Sequence, residues 1–182
     1  MSQIERKDRF VEHLIRNRDD RALMASLRRG LAQPNSAEVS RIVQPWLSED
    51  SARWLEDAYY TIAPLFALHH DDIAEDGNMG NHFRALAESM KPSYSDELPR
   101  SVERRFMQLL ACGANDLDDL LRQAVSLLRS KDIAVNWHQL LKDVLSWKHS
   151  DDRRDFVRRE WSRKFWRSDK PTYQSTSQVA NS

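Results

Sequence analysis

A single cysteine, Cys112, among 182 residues excludes an internal disulfide and a cysteine-built zinc site, and it fits a reducing, cytoplasmic setting. No apolar run approaches the ~20 residues that a membrane span needs. The amino terminus from Met1 to Arg9 is charged with no hydrophobic stretch behind it, so neither membrane insertion nor export is expected. Only four glycines are present, and β-branched runs are almost absent, which argues against sheet and for helices joined by short connections. The motifs that would carry catalysis are missing as well. There is no Gly-x-x-x-x-Gly-Lys-Ser/Thr phosphate cradle, no Gly-x-Ser-x-Gly, no His-Glu-x-x-His and no Cys-His pairing in an evident frame. No enzyme activity, catalytic residue or cofactor is therefore expected.

What is present is a core-forming sequence. Six tryptophans and six phenylalanines argue against disorder, and the length suits one domain or two small helical lobes. The expected fold is all-α: two packed helical lobes, residues 1–92 and 93–170, the second a small four-helix bundle, followed by a disordered tail over 171–182. The boundary is placed in the Pro- and Ser-containing stretch from Lys91 to Pro99.

Apolar spacing marks the helices. Phe10, Val11, Leu14 and Ile15 form one stripe, and Leu23, Met24, Leu27 and Leu31 a second, capped by Asp19 or Asp20. Ser36 can cap a short helix through Val39, Ile42 and Val43, which Gln44-Pro45 closes. Asp50 or Ser51 can cap a long helix from Trp54 to Phe66, and Pro64 inside that pattern predicts a kink or a break near Tyr60 to Ala63. Asn81 can cap a helix bearing Phe83, Leu86, Ala87 and Met90. Ser101 can cap the helix of Val102, Phe106, Leu109 and Leu110, and Asp116 that of Leu117, Leu120, Leu121 and Leu128. Asn136 and then Ser150 or Asp151 can cap the last two, the final one with an aromatic side of Phe156, Val157, Trp161 and Phe165.

Charge is balanced, 28 basic against 28 acidic side chains, but it is unevenly placed. Trp46 to Asp76 holds eight acidic residues and one arginine, Arg53, a net of minus seven; Lys148 to Lys170 holds nine basic and five acidic, a net of plus four. Such a surface suits oriented docking. On the helices, Arg28 lies at the border of its apolar stripe and Arg29 away from it, Arg105 beside the stripe of its helix and Arg104 nearly opposite. Arg122 lies on an outer face, where Asp118 four residues earlier is placed to pair with it. Arg159, Arg163 and Arg167 recur every four residues, flanked by Arg153, Arg154, Arg158 and Lys164. A line of cations at helical rise can follow a phosphate backbone; the plainer reading is a solvated face. His69-His70-Asp71-Asp72 is the one run of crowded metal-binding side chains, but it lacks His-x-x-x-His or His-x-x-His spacing and reads as a polar helix end.

Taken in order, Leu27-Arg28-Arg29, Val43-Gln44-Pro45, Glu103-Arg104-Arg105-Phe106-x-x-Leu109-Leu110, Leu120-Leu121-Arg122, Val135-Asn136-Trp137-x-x-Leu140 with Trp147, and Trp161-x-x-x-Phe165-Trp166 resemble the CasB family, the small subunit of the type I-E CRISPR Cascade complex. The resemblance runs from about Arg21 to Trp166. It implies a non-catalytic helical subunit present in two copies, head to tail, in a crRNA-guided complex. The implied partners are CasC-type backbone subunits, the CasA large subunit, crRNA and the target and displaced DNA strands. It also implies DNA-facing roles for Arg29, Arg105 and Arg122, and for Arg53, Arg153 and Arg154. Arg28, Arg104, Arg159 and Arg163 complete the candidate nucleic-acid contacts. Asp118, Asp119, Asp151 and Asp152 dilute two of these patches. Two other readings stand beside it: a helical adaptor that binds only protein through the acidic Trp46–Asp76 face, and a metal phosphohydrolase built on His70 and Asp71.

Overall fold

Nine α-helices account for the described part of the chain, residues 3–34 and 36–167 of a computed structural model. They are α1 (Gln3–Arg16), α2 (Arg21–Arg29), α3 (Ala37–Val43), α4 (Arg53–Leu68), α5 (Met79–Ser89), α6 (Arg100–Ala111), α7 (Leu117–Arg129), α8 (Trp137–His149) and α9 (Asp151–Trp166), with a 3-10 turn at Gln44–Trp46. No strand occurs among the described residues, only one isolated bridge between Ile73 and Val135. The fold is all-α. The expected tail, 171–182, lies outside the described residues.

Several helix starts follow the sequence pattern closely. The Asp20 carboxylate accepts from the Ala22 and Leu23 amides, Ser36 from Val39, Asn136 from Gln139 and Ser150 from Arg153. Others differ from expectation for local reasons. Ser51 does not cap α4, because its hydroxyl accepts from the Ser48 amide and closes the 48–51 turn, leaving Ala52 at the cap position. Asn81 is the third residue of α5 rather than its cap: Asn78 accepts from the Gly80 and Asn81 amides while the Asn81 side chain accepts from Asn78, a reciprocal capping box. Pro99, with φ at −61°, holds the cap position and α6 begins at Arg100, so Ser101 lies inside the first turn rather than at the cap. Asp116 holds the cap position of α7, but its αR backbone leaves the carboxylate without a first-turn amide.

Pro64 neither breaks nor ends α4, which runs unbroken from Arg53 to Leu68. Ala58, Tyr59 and every residue from Thr61 to Ala67 are buried, so packing on all sides offsets the hydrogen bond that proline cannot donate. This central helix packs on α8, and also on α2, α3 and α7; α5 packs on α9, and α8 on α9 and α1. The buried residues form one connected core running through both halves of the chain, with Trp137, Trp147 and Trp161 at its centre, fully buried. At ~25 cal/mol per Å² over the roughly 150–250 Å² an aromatic ring hides, each contributes about 5 kcal/mol before entropy is counted. Phe156 does not join the aromatic side of α9: it is 63% exposed, because Val157, Trp161 and Phe165 already fill the inward stripe at four-residue spacing. The division at residue 92 falls in the connection between α5 and α6, and it remains a proposal.

Candidate nucleic-acid interface

Helix α6 buries Val102, Phe106 and Leu109, which leaves Arg104 and Arg105 exposed. Helix α7 buries Leu117, Leu121, Ala124, Val125 and Leu128, which turns Arg122, Gln123, Ser126 and Ser130 outward. Because α6 packs on α7, Arg105 and Arg122 line one open groove of about 630 Å³, with Asp119, Gln123, Ser126, Leu127 and Ser130. Neither arginine has an ion-pair partner among the described residues. Two guanidinium groups against one carboxylate give the groove a positive balance, and its hydroxyl and amide groups are the kind that position phosphate oxygens. The residues the sequence reading missed are these uncharged ones. Asp119, Arg122, Gln123, Ser126 and Ser130 form a helical polar stripe opposite the leucines, which is the signal that marks them.

Asp118 does not pair with Arg122. It accepts from Lys148 Nζ at 2.8 Å and from the Thr61 hydroxyl at 2.9 Å, tying the start of α7 to α8 and α4. The Lys148 side chain is only 9% exposed. It is thereby taken out of the basic surface expected for residues 148–170, and Arg122 is left to donate to the Leu31 carbonyl at 3.2 Å. Leu31 follows the last turn of α2, so Arg122 reaches the end of the helix that carries Arg28 and Arg29. Both are exposed; Arg28 Nε donates to the Met24 carbonyl and Arg29 to the Ser26 hydroxyl.

The remaining candidates are not gathered into this groove. Arg53 is exposed at the first residue of α4, next to Trp54, whose ring meets His149 edge-on at 4.6 Å. Arg153 is exposed on the first turn of α9 near Lys7, whose amine is held below the usual lysine range by burial and then by the charges of Arg153 and Lys142. Arg154 is largely covered and bound to Asp151 at 2.7 Å. Arg159 is exposed, whereas Arg163 is paired with Glu160. Arg158 serves the fold: its guanidinium lies 5.3 Å from the Trp147 ring centroid and donates to the Cys112 carbonyl at 2.7 Å. The line of cations on α9 is thus partly neutralised or structural.

Among the described residues no group of three or more His, Cys, Asp or Glu side chains is placed to hold a metal ion. The His69-His70-Asp71-Asp72 run is divided by burial. His69 is buried and its Nε2 donates to the Ile133 carbonyl at 2.8 Å, while His70 is half-buried and Asp71 and Asp72 are exposed. Two titratable groups elsewhere are displaced. Burial pushes His82 down to about 4, with Nε2 accepting from the Asn136 amide, and burial pushes Asp143 up to about 6 against hydrogen bonds from Trp161 and Gln139. No helix among the described residues is long and apolar enough to cross a membrane. Burial raises the Cys112 thiol above its usual range, which leaves it a packing residue.

Comparison with known proteins matches this arrangement to one family. The family model for CRISPR-associated protein Cse2 matches residues 23–166. A CRISPR-associated protein Cse2 from Thermus thermophilus is 32% identical over 165 residues, covering 87% of this chain and 89% of that one. The crystal structure of CasB from M. ruber superposes with a TM-score of 0.70 at 31% identity, covering 88% of this chain and 92% of that chain. A chain of a CRISPR RNA-guided surveillance complex shares the fold, with a TM-score of 0.69 at 22% identity over 90% of this chain and 93% of that chain. The chain belongs to the CRISPR-associated Cse2 family, that of the CasB proteins.

Proposed function

We propose that this chain is a non-catalytic Cascade subunit that steadies the crRNA-guided R-loop by holding the displaced DNA strand along the Arg105–Arg122 groove. The observation that carries the proposal is the placement of two arginines, neither in an ion pair among the described residues, in one groove of a Cse2-family protein. Each guanidinium acts as a phosphate ligand and reads no base. Exchange of a DNA duplex for an RNA–DNA heteroduplex is nearly balanced, so a few backbone contacts are enough to tip it. The partners in this reading are CasC-type backbone subunits, the CasA large subunit, a second copy of the chain, crRNA and both DNA strands, in the cytoplasm. Arg53 and Arg153 are further candidate phosphate ligands outside the groove, and Arg28, Arg29, Arg104, Arg154, Arg159 and Arg163 are secondary to it.

The test is the R-loop lifetime of assembled complexes carrying Arg105→Gln and Arg122→Gln together, measured from low to high salt. Each single-strand phosphate contact adds about 0.7 to the slope of log K against log salt, so losing two flattens it by about 1.4. An unchanged lifetime and slope refute the role.

A further inference from the structure

Away from the Arg105–Arg122 groove, α1, α2, α3 and the 3-10 turn enclose a second open groove of about 620 Å³. Its walls are Leu23, Ile42, Pro45, Trp46 and Leu47. Trp46 is pinned from behind, 5.8 Å edge-on to Phe10 and 5.2 Å from the His13 ring, and Pro45 fixes the turn that presents it. The ionisable groups on the lining are both basic, Arg41 and His13, and no carboxylate among the described residues lines the groove. Arg41 is exposed and has no ion-pair partner among the described residues. An apolar slot with such a guanidinium at its rim is complementary to a bulky apolar side chain followed closely by a carboxylate. Phosphate backbone is a poor match, because the walls are apolar and offer little to a strand.

The chain itself carries a segment of that description. Tyr94, in the connection between α5 and α6, is 92% exposed, the most exposed large hydrophobic residue among those described. Asp96 and Glu97 follow it, both exposed; Asp96 lies 3.5 Å from Lys91, while Glu97 has no ion-pair partner among the described residues. We infer that Tyr94 of one copy seats in the Trp46–Leu47 groove of the next, with Glu97 meeting Arg41. The contact joins two different surfaces of the chain, the α5–α6 connection of one copy and the α1–α3 groove of the other. This inference rests on the two-copy reading above and assigns the residues that make the contact.

The test counts copies of the subunit by native mass in assembled complexes. Arg41, Tyr94 and Glu97 are exposed, so their variants keep the fold, checked by an unchanged melting temperature. Arg41→Glu and Glu97→Arg are each expected to drop the count below two, Tyr94→Ala likewise, and the charge-swapped Arg41→Glu/Glu97→Arg chain to restore two. One copy in the wild-type complex overturns the two-copy reading itself. Two copies in every variant overturn only the groove assignment. Loss with Arg41→Glu but not with Glu97→Arg or Tyr94→Ala overturns the self-contact and places a foreign acidic segment in the groove.

Discussion

Replacing Asp118 by alanine leaves the Lys148 ammonium, 9% exposed, without its carboxylate, while the Thr61 hydroxyl keeps the Asp57 carbonyl as acceptor. Removing one partner of a fully buried pair costs about 3–5 kcal/mol, because the other charge stays desolvated. Asp118 is 52% exposed, so solvent already screens this pair, and about 2 kcal/mol is expected. With a urea dependence of ~2 kcal/mol per molar, the midpoint should fall by about 1 M without a change in slope. Lys148→Met in the same chain removes the stranded charge and should recover most of the loss, giving a coupling of at least ~1 kcal/mol in the double-mutant cycle. The start of α7 carries Arg122 one turn on, so Asp118→Ala should also shorten R-loop lifetime, although Asp118 touches no strand. A midpoint shift below ~0.2 M, or a cycle with no coupling, refutes the clamp.

Of the four glycines Gly80 allows the closest approach: a Cβ there would lie 2.0 Å from the Trp161 carbonyl oxygen, so Gly80→Ala should push α5 from α9 and cost about 3 kcal/mol or more, read by thermal melting. His82 and Asp143 should oppose one another on acidification. His82 titrates at about 4 when folded and near 6.5 when unfolded, so its contribution is full above pH ~6.5 and falls away toward pH 4. Asp143 titrates at about 6 when folded against 3.8 unfolded, so it disfavours folding above pH 6 and that penalty is relieved as pH falls. Each spans about 3 kcal/mol. Asp143→Asn should therefore expose a loss of stability between pH ~6.5 and ~4 that the wild type masks, and an identical pH profile in both proteins would contradict this. Arg158→Leu should lose about 1–3 kcal/mol in denaturant through the Cys112 carbonyl bond and the Trp147 contact, with no change in R-loop salt slope.

The helices were legible because period and cap agree: Asp20, Ser36, Asn136 and Ser150 each stand before an apolar stripe and each makes the expected bond. Starts were misplaced where a neighbouring partner claimed the capping group, as Ser48 claims Ser51 and Asn78 shares Asn81. The helix does not break at Pro64 because local propensity says nothing of the continuous burial from Thr61 to Ala67. Arg105 and Arg122 were recognisable from the motifs that carry them, but their meeting in one groove depends on the packing of α6 on α7. The fate of the charges was not legible. Asp118 found Lys148, thirty positions away and on another helix, rather than Arg122 one turn on, and Arg158 turned inward to Trp147 and Cys112. A sequence carries the sign of a charge and its helix face, while its partner is a property of the assembled core.

The central claim is that the Arg105–Arg122 groove holds the displaced strand, and photocrosslinking tests it most directly. A photoreactive residue is placed at Ser126, on the groove lining, in a crRNA-containing complex bound to a target whose two strands carry different labels. The account predicts crosslinks to the displaced strand that fade with rising salt and disappear with Arg105→Gln/Arg122→Gln. Crosslinks to protein alone, or to the target strand alone, would contradict it.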